Sequence, residues 1–104
     1  MAKKREKEIA YPPLSGMVLD DQVQLSLYEI CEICDISAET ILDMIEEGVV
    51  EPKGRKPGEW RFDFYEIRRV QIALRLQQDL RVNLPGAAVI IDLLEELEDL
   101  RRRL

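Results

Sequence analysis

Histidine is absent from this sequence of 104 residues, and cysteine occurs only twice, as Cys31 and Cys34. The sequence also has no glycine-rich phosphate loop and no serine beside a base, so it offers no arrangement for catalysis. We therefore expect a protein that is not an enzyme and holds no cofactor. Two cysteines are too few for a disulfide framework in a chain of this size, which favours a reducing cytoplasm.

The Cys-x-x-Cys spacing of Cys31 and Cys34 allows two interpretations. Such a pair can bind a metal ion or act in redox chemistry. Because the chain has no histidine and no second pair to complete a site, we interpret the two cysteines as small core residues of a helix and expect no metal.

Long apolar runs are absent too. No stretch approaches the roughly 20 apolar residues that span a bilayer, and the lysine-rich start leads into Ile-Ala-Tyr-Pro-Pro at residues 9–13 instead of an apolar signal core. We expect a soluble, cytoplasmic protein with no membrane contact. Its length fits one domain, with enough apolar residues for a modest core only. A dimer that shares apolar surface would add to that core.

Lysine and arginine are missing from residues 9–52, although that segment holds ten acidic residues and the whole chain has a net charge of −6. An unbroken anionic segment repels phosphate groups, so we expect no direct contact with nucleic acid through it. The simplest alternative is that these acids only form a solvated surface.

The order of local signals predicts a mainly α-helical fold. Residues 1–22 show no helical or strand period, which predicts a flexible N-terminal arm. Residues 23–82 are predicted to form a winged helix-turn-helix with a third helix, and residues 83–104 a C-terminal helix. Val49-Val50-Glu51 and Trp60-Arg61-Phe62 are predicted to pair as a small β-hairpin, the wing.

The helix-turn-helix is predicted from caps and apolar spacing. A short strand at residues 23–25 precedes Ser26 and Glu29, which have the form of a capping box that begins the first helix. Ser37 is positioned to cap the second helix. The predicted inner stripes are Leu27, Ile30, Cys31 and Cys34 in the first helix and Ala38, Ile41, Leu42 and Ile45 in the second.

Two further helices are predicted after the wing. Asp63 with Glu66 is a second capping pattern, and Asn83 with Pro85 marks the start of the last helix. In the third helix the predicted inward residues are Ile67, Val70 and Leu74, and the predicted outward ones are Arg68, Arg69 and Arg75. The last helix carries a coiled-coil stripe that predicts a homodimer contact through Ile90, Leu93, Leu97, Leu100 and Leu104.

This order of elements resembles the MerR superfamily of winged-helix proteins, and within it the CbpM family of chaperone-modulatory proteins. The matching pieces are Leu-Tyr-Glu-Ile-Cys at residues 27–31, Gly-Val-Val-Glu-Pro at 48–52, Trp-Arg-Phe-Asp at 60–63, and Leu-Arg-Leu at 74–76 through Leu-Pro-Gly at 84–86. The resemblance implies a MerR-like winged helix-turn-helix with a C-terminal dimerisation helix. It also implies a regulator that binds the J-domain of a CbpA-type co-chaperone and inhibits both its co-chaperone activity and its DNA binding.

The second helix departs from the DNA-binding MerR regulators. Their recognition helix has the form Thr-Ile-Arg-Tyr-Tyr, whereas residues 40–44 are Thr-Ile-Leu-Asp-Met. A helix with four acids and no base gains nothing from phosphate contacts and is repelled by them. The alternative function is a winged-helix transcription regulator that reads DNA through the basic residues of its wing or through another surface.

The same acids suit a cationic protein. J-domains present a basic second helix to their chaperone, and an anionic face can compete for that helix. The residues predicted to bind the J-domain are Glu29, Glu32, Glu39, Asp43, Glu46 and Glu47. Because rim charges set the association rate more than the affinity, an apolar anchor is expected nearby, and Ile36, Met44 or Val49 are the candidates.

Overall fold

The fold is seen in a computed structural model that describes residues 22–104. In chain order, the elements are β1 (Gln24–Leu25), α1 (Leu27–Cys34), α2 (Ala38–Glu46), a 3-10 helix (Pro57–Glu59), β2 (Phe62–Asp63), α3 (Phe64–Leu80) and α4 (Leu84–Arg103). The predicted arm lies outside the described residues except for Gln22, which is in a turn. The protein is mainly helical with one small antiparallel sheet, as predicted.

All four helices begin at the predicted capping residues. At Ser26 both halves of the capping box form, because its Oγ accepts from the Glu29 amide (3.1 Å) and its own amide donates to Glu29 Oε1 (2.8 Å). Ser37, Asp63 and Asn83 each accept from the amide three residues later. Each cap satisfies an amide that has no partner within its helix, which stabilises the protein by about 1 kcal/mol.

The inner face of α2 differs from the predicted stripe. Ile41 and Met44 are completely buried, whereas Ala38 is exposed and Leu42 is 45% exposed. A helix of nine residues allows two overlapping apolar stripes, one that includes Leu42 and one that includes Met44. Packing in the shared core selects the second stripe, which the spacing alone does not distinguish from the first.

The wing is reduced to a single bridge. Lys53 and Arg61 exchange both backbone hydrogen bonds (3.0 and 2.9 Å), but residues 49–51 form no strand, so that part of the prediction is wrong. β2 pairs instead with β1, with Leu25 opposite Phe62. The predicted strand at residues 23–25 is therefore confirmed over Gln24–Leu25.

Backbone donors explain why the hairpin is so short. The amide of Glu51 donates to the side chain of Glu66 (2.9 Å), and Pro52 has no amide to donate. Lys53 is thus the first residue after Val50 whose amide is available for pairing. Val49 and Val50 are buried in the core as single residues of an irregular segment.

The core is shared by the four α-helices and both strands. Its fully buried members include Ile30, Ile41, Phe62, Ile67 and Ile91, one or more from each major element. Among residues 22–104, no helix is both long enough and apolar enough to cross a membrane.

Gln71 on α3 is a weak point in this core. It is 1% exposed, and neither its side-chain nitrogen nor its oxygen has a hydrogen-bond partner within residues 22–104. An unsatisfied buried amide is unfavourable by about 1–3 kcal/mol. We expect Gln71→Met to raise the free energy of unfolding by about 1–2 kcal/mol, because it fills the same space without polar atoms. Chemical denaturation followed by circular dichroism measures this change.

The matched control for this prediction is Gln78→Met, at an exposed position of the same helix. It reports any change in helix propensity alone and is expected to leave stability within about 0.5 kcal/mol of wild type. A loss of stability in Gln71→Met would contradict the assignment of Gln71 as unsatisfied.

Candidate partner-binding and dimer surfaces

The six predicted acidic residues are all exposed. Their side chains differ in what else they contact. Glu29 caps α1 through the Ser26 amide, and Glu32 accepts a hydrogen bond from the Tyr28 hydroxyl (3.2 Å). The remaining four lie on α2 or at its end and are Glu39, Asp43, Glu46 and Glu47. We call these four acids together with Leu42 the acidic face.

Leu42 is the exposed apolar residue of the acidic face. It lies three residues after Glu39 and four before Glu46, so these carboxylates flank it on the same side of α2. Two of the three predicted anchors are wrong, because Met44 and Val49 are completely buried. Ile36 is half-buried and packs against the core. Leu42 is exposed although the apolar spacing predicts it on the inner stripe of the helix.

The basic residues of the wing are partly engaged within the molecule. Lys53 Nζ lies 2.8 Å from Asp63 Oδ2, and this hydrogen bond raises the pKa of Lys53 and lowers that of Asp63. The Arg61 guanidinium donates to the carbonyl oxygen of Trp60 (2.7 Å). Two of the basic residues that a DNA-binding wing would use are therefore turned to local contacts.

Cys31 and Cys34 behave as the core residues predicted. Cys34 is buried, and Cys31 is half-buried on the same side of α1. Burial, and then the neighbouring Cys31, raise the pKa of Cys34 to about 11. A thiol that stays protonated at neutral pH is a poor nucleophile and a poor metal ligand. Within the part of the chain that the structure describes, no group of three or more histidine, cysteine or acidic residues could hold a metal ion.

The predicted dimer residues of α4 are mostly exposed. Leu93, Leu97, Leu100 and Leu104 are 60%, 40%, 51% and 105% exposed. Ile90 is half-buried and packs against the core, while its neighbour Val89 is 58% exposed and lies four residues before Leu93. We call the exposed set the leucine stripe: Val89, Leu93, Leu97, Leu100 and Leu104.

The leucine stripe faces away from the core. The buried residues of α4 are Ala87, Ala88 and Ile91, which the helical period places on the opposite side from Leu93 and Leu97. A row of exposed apolar side chains of this length marks an interaction surface more often than a solvent-facing one.

Arg69 is buried, so its predicted place on the outer face of α3 is wrong. It is 6% exposed. Its Nε donates to the Val49 carbonyl oxygen (2.5 Å) and its Nη2 to that of Gly48 (3.4 Å). On the other side, Nη2 donates to Asp92 Oδ1 (3.0 Å) and Nη1 to Glu95 Oε1 (2.8 Å). These contacts, the Arg69 network, join the segment after α2 to α4.

Tyr65 completes the Arg69 network. Its hydroxyl donates to Glu95 Oε1 (2.8 Å), and the Arg69 guanidinium lies 5.8 Å from the centre of its ring. Burial by itself lowers the pKa of Arg69, but the hydrogen bonds to Glu95 and Asp92 outweigh it and the pKa is raised. The buried charge is therefore fully compensated, which is the condition for such a group to persist in a core.

Comparison with known proteins identifies the family. The sequence profile described as MerR HTH family regulatory protein matches residues 25–104. A chaperone modulatory protein CbpM from Coxiella burnetii (strain Dugway 5J108-111) is 33% identical over 91 residues, which cover 88% of this chain and 86% of that protein. One from Pseudomonas entomophila (strain L48) is 39% identical over 79 residues, 76% of this chain and 78% of that protein. The chain therefore belongs to the CbpM family of chaperone modulatory proteins, within the MerR HTH family.

Proposed function

We propose that the protein is a non-enzymatic inhibitor that binds the J-domain of a CbpA-type co-chaperone in the cytoplasm and thereby blocks its co-chaperone and DNA-binding activities. The observation that carries the proposal is the acidic face of α2, where Leu42 is 45% exposed between Glu39 and Glu46. This combination suits a basic helix with an apolar residue at its centre. The relatives named as chaperone modulatory proteins support a chaperone system as the target.

The charges and the apolar residue have separate roles in this proposal. Exposed carboxylates attract a cationic partner over a distance of about 10 Å at moderate salt and raise the association rate. Leu42 supplies the desolvated contact that keeps the partner bound, because rim charges alone give little affinity. A J-domain held by its basic helix cannot present that helix to a chaperone or to DNA, so inhibition follows from occlusion.

The leucine stripe supports a second part of the proposal, that the protein is a homodimer through α4. The stripe lies on the side of α4 away from its buried residues, where a second copy of the same helix can cover it.

The test is titration of a labelled, isolated J-domain with the protein at physiological salt. We expect one J-domain per protomer. Asp43→Lys combined with Glu47→Lys is expected to weaken binding by at least about tenfold, because two exposed attractions become repulsions. Leu42→Ala is expected to weaken it by about tenfold through loss of the apolar anchor. Fluorescence anisotropy measures all three affinities.

The control has the same charge change elsewhere. Glu59→Lys with Glu98→Lys reverses two exposed acids outside the acidic face and is expected to bind the J-domain nearly as wild type does. If both double variants bind the J-domain equally weakly, the affinity depends on the net charge of the protein and not on the acidic face. Salt-sensitive retention on duplex DNA without J-domain binding would instead establish the alternative, a DNA-binding regulator.

A further inference from the structure

A cavity of about 440 Å³ opens at the C-terminal end of α2, beside the acidic face. Its lining includes Ile45 and Gly48, which flank Glu46 and Glu47 in the chain. The cavity thus adjoins the end of α2 that carries Glu46 and Glu47, and Leu42 is not part of its lining.

The walls of the cavity combine three kinds of surface. Ile45 and the buried Val50 contribute apolar side chains to the lining. One wall is Tyr65, which is 51% exposed. The remaining lining carries the carboxylates of Glu51, Glu66 and Asp92 and the guanidinium of Arg69.

The charges in the cavity do not balance. Arg69 is the cation of this lining, and its hydrogen bonds go to Asp92, Glu95 and two backbone carbonyls. Glu66 uses Oε1 to accept from the amide of Glu51 (2.9 Å). Burial raises the pKa of the Glu66 carboxyl, with the Glu51 hydrogen bond opposing it. An added cation would offset the burial of this carboxylate.

We propose that this cavity receives a lysine or arginine side chain of the partner, with its stem on Ile45 and Val50 and its cation between Tyr65 and the carboxylate of Glu66. These two apolar side chains suit the methylene stem of such a side chain. The ring of Tyr65 attracts a cation, and carboxylates form charge-assisted hydrogen bonds with it. This inference rests on the proposed function, because it names a contact of the same J-domain with the same region.

The first test needs no partner protein. Nα-acetyl-lysine methylamide is titrated into the 15N-labelled protein, and amide shifts are followed by NMR. We expect saturable shifts at Gly48, Glu51 and Glu66, and much weaker ones with the uncharged analogue Nα-acetyl-norleucine methylamide. Saturation at these amides by both analogues alike, or by neither, overturns the proposal.

Two variants show whether the charge of the cavity is responsible. Glu66→Gln removes the negative charge and keeps an oxygen that accepts from the Glu51 amide, and Glu51→Gln changes an exposed side chain. Each variant is expected to bind the lysine analogue at least threefold more weakly than the wild-type protein does. Glu59→Gln, an equal charge change in the 3-10 helix, is expected to leave this binding unchanged. Wild-type binding in both cavity variants contradicts the proposal.

The J-domain titration separates this inference from the proposed function. Glu66→Gln is expected to lower J-domain affinity by at least fivefold. Suppose that Glu66→Gln binds the J-domain as tightly as wild type does, while Asp43→Lys with Glu47→Lys binds it more weakly. The cavity assignment then fails and the proposed function stands. If the wild-type protein ignores J-domains, the proposed function fails, and the lysine analogue still decides whether the cavity binds a cationic side chain.

Discussion

Replacing Arg69 with methionine is expected to lower the free energy of unfolding by about 3–5 kcal/mol, since breaking a buried ion pair leaves uncompensated charges and carbonyls behind. The side chain of Arg69 is 7% exposed, so solvent screens it little. Its loss leaves the carbonyls of Gly48 and Val49 without these hydrogen bonds and removes the cation beside Glu95. Urea denaturation followed by circular dichroism measures the change.

The control for Arg69→Met is Arg102→Met. Arg102 also pairs with a carboxylate, that of Asp99 (3.2 Å), but its side chain is 72% exposed. Exposed pairs contribute only about 0.2–1 kcal/mol, so this variant is expected to unfold nearly as wild type does. A similar small loss in both variants would show that the Arg69 network contributes no more than a surface pair.

Introducing a carboxylate into the leucine stripe is expected to separate the proposed dimer. In a symmetric pair, Leu93→Glu places one unpaired charge from each protomer in the apolar contact, which is unfavourable by several kcal/mol. The dissociation constant is then expected to rise by more than about a hundredfold, at about 1.4 kcal/mol for each factor of ten. Sedimentation velocity over a range of concentrations measures it.

The chain provides a matched control for this experiment. Leu80 on α3 is exposed by 60%, the same fraction as Leu93, but it lies outside the leucine stripe. Leu80→Glu therefore changes the charge and removes an equally exposed leucine without touching the contact. Wild-type protein that sediments as a monomer at about 100 μM would contradict the dimer, because specific apolar contacts of this kind associate more tightly than that.

The local features of this fold were predictable from the sequence because their causes are local. Ser26, Ser37 and Asn83 cap their helices through amides three residues away, and such spacing can be seen in one sequence window. The exposure of the acidic residues followed for the same reason. A carboxylate in an apolar core is so unfavourable that its side of a short helix is fixed without knowledge of the rest of the fold.

The features that sequence reasoning missed depend on distant residues. Arg69 is buried because Val49, twenty positions away, and Glu95, twenty-six positions away, accept its hydrogen bonds. Glu66 has the position of a capping-box residue, yet its carboxylate accepts from Glu51. No spacing rule within a helix reveals either choice. The pair Asp92 and Glu95, three apart on α4 opposite the predicted third helix, is the signal that points to a buried cation.

The loss of base from the recognition helix explains how this family's fold can serve protein binding. Helix α2 keeps the exposed position that reads DNA in a winged helix-turn-helix, but residues 38–46 contain three acids and no base. Phosphates are repelled from such a surface, whereas a cationic helix of similar dimensions is attracted to it. Under the proposed function, the scaffold would need no change in backbone to bind a cationic protein in place of DNA.

The Arg69 network also has a mechanical consequence. It connects the turn after α2 to α4 through two carbonyls and two carboxylates, so one buried side chain links the helix of the acidic face to the helix of the leucine stripe. Two copies joined along their last helices would hold a pair of identical docking sites at a fixed separation. A dimeric co-chaperone would then be bound through both of its J-domains. When one J-domain dissociates, the other would keep the complex together long enough for the first to rebind.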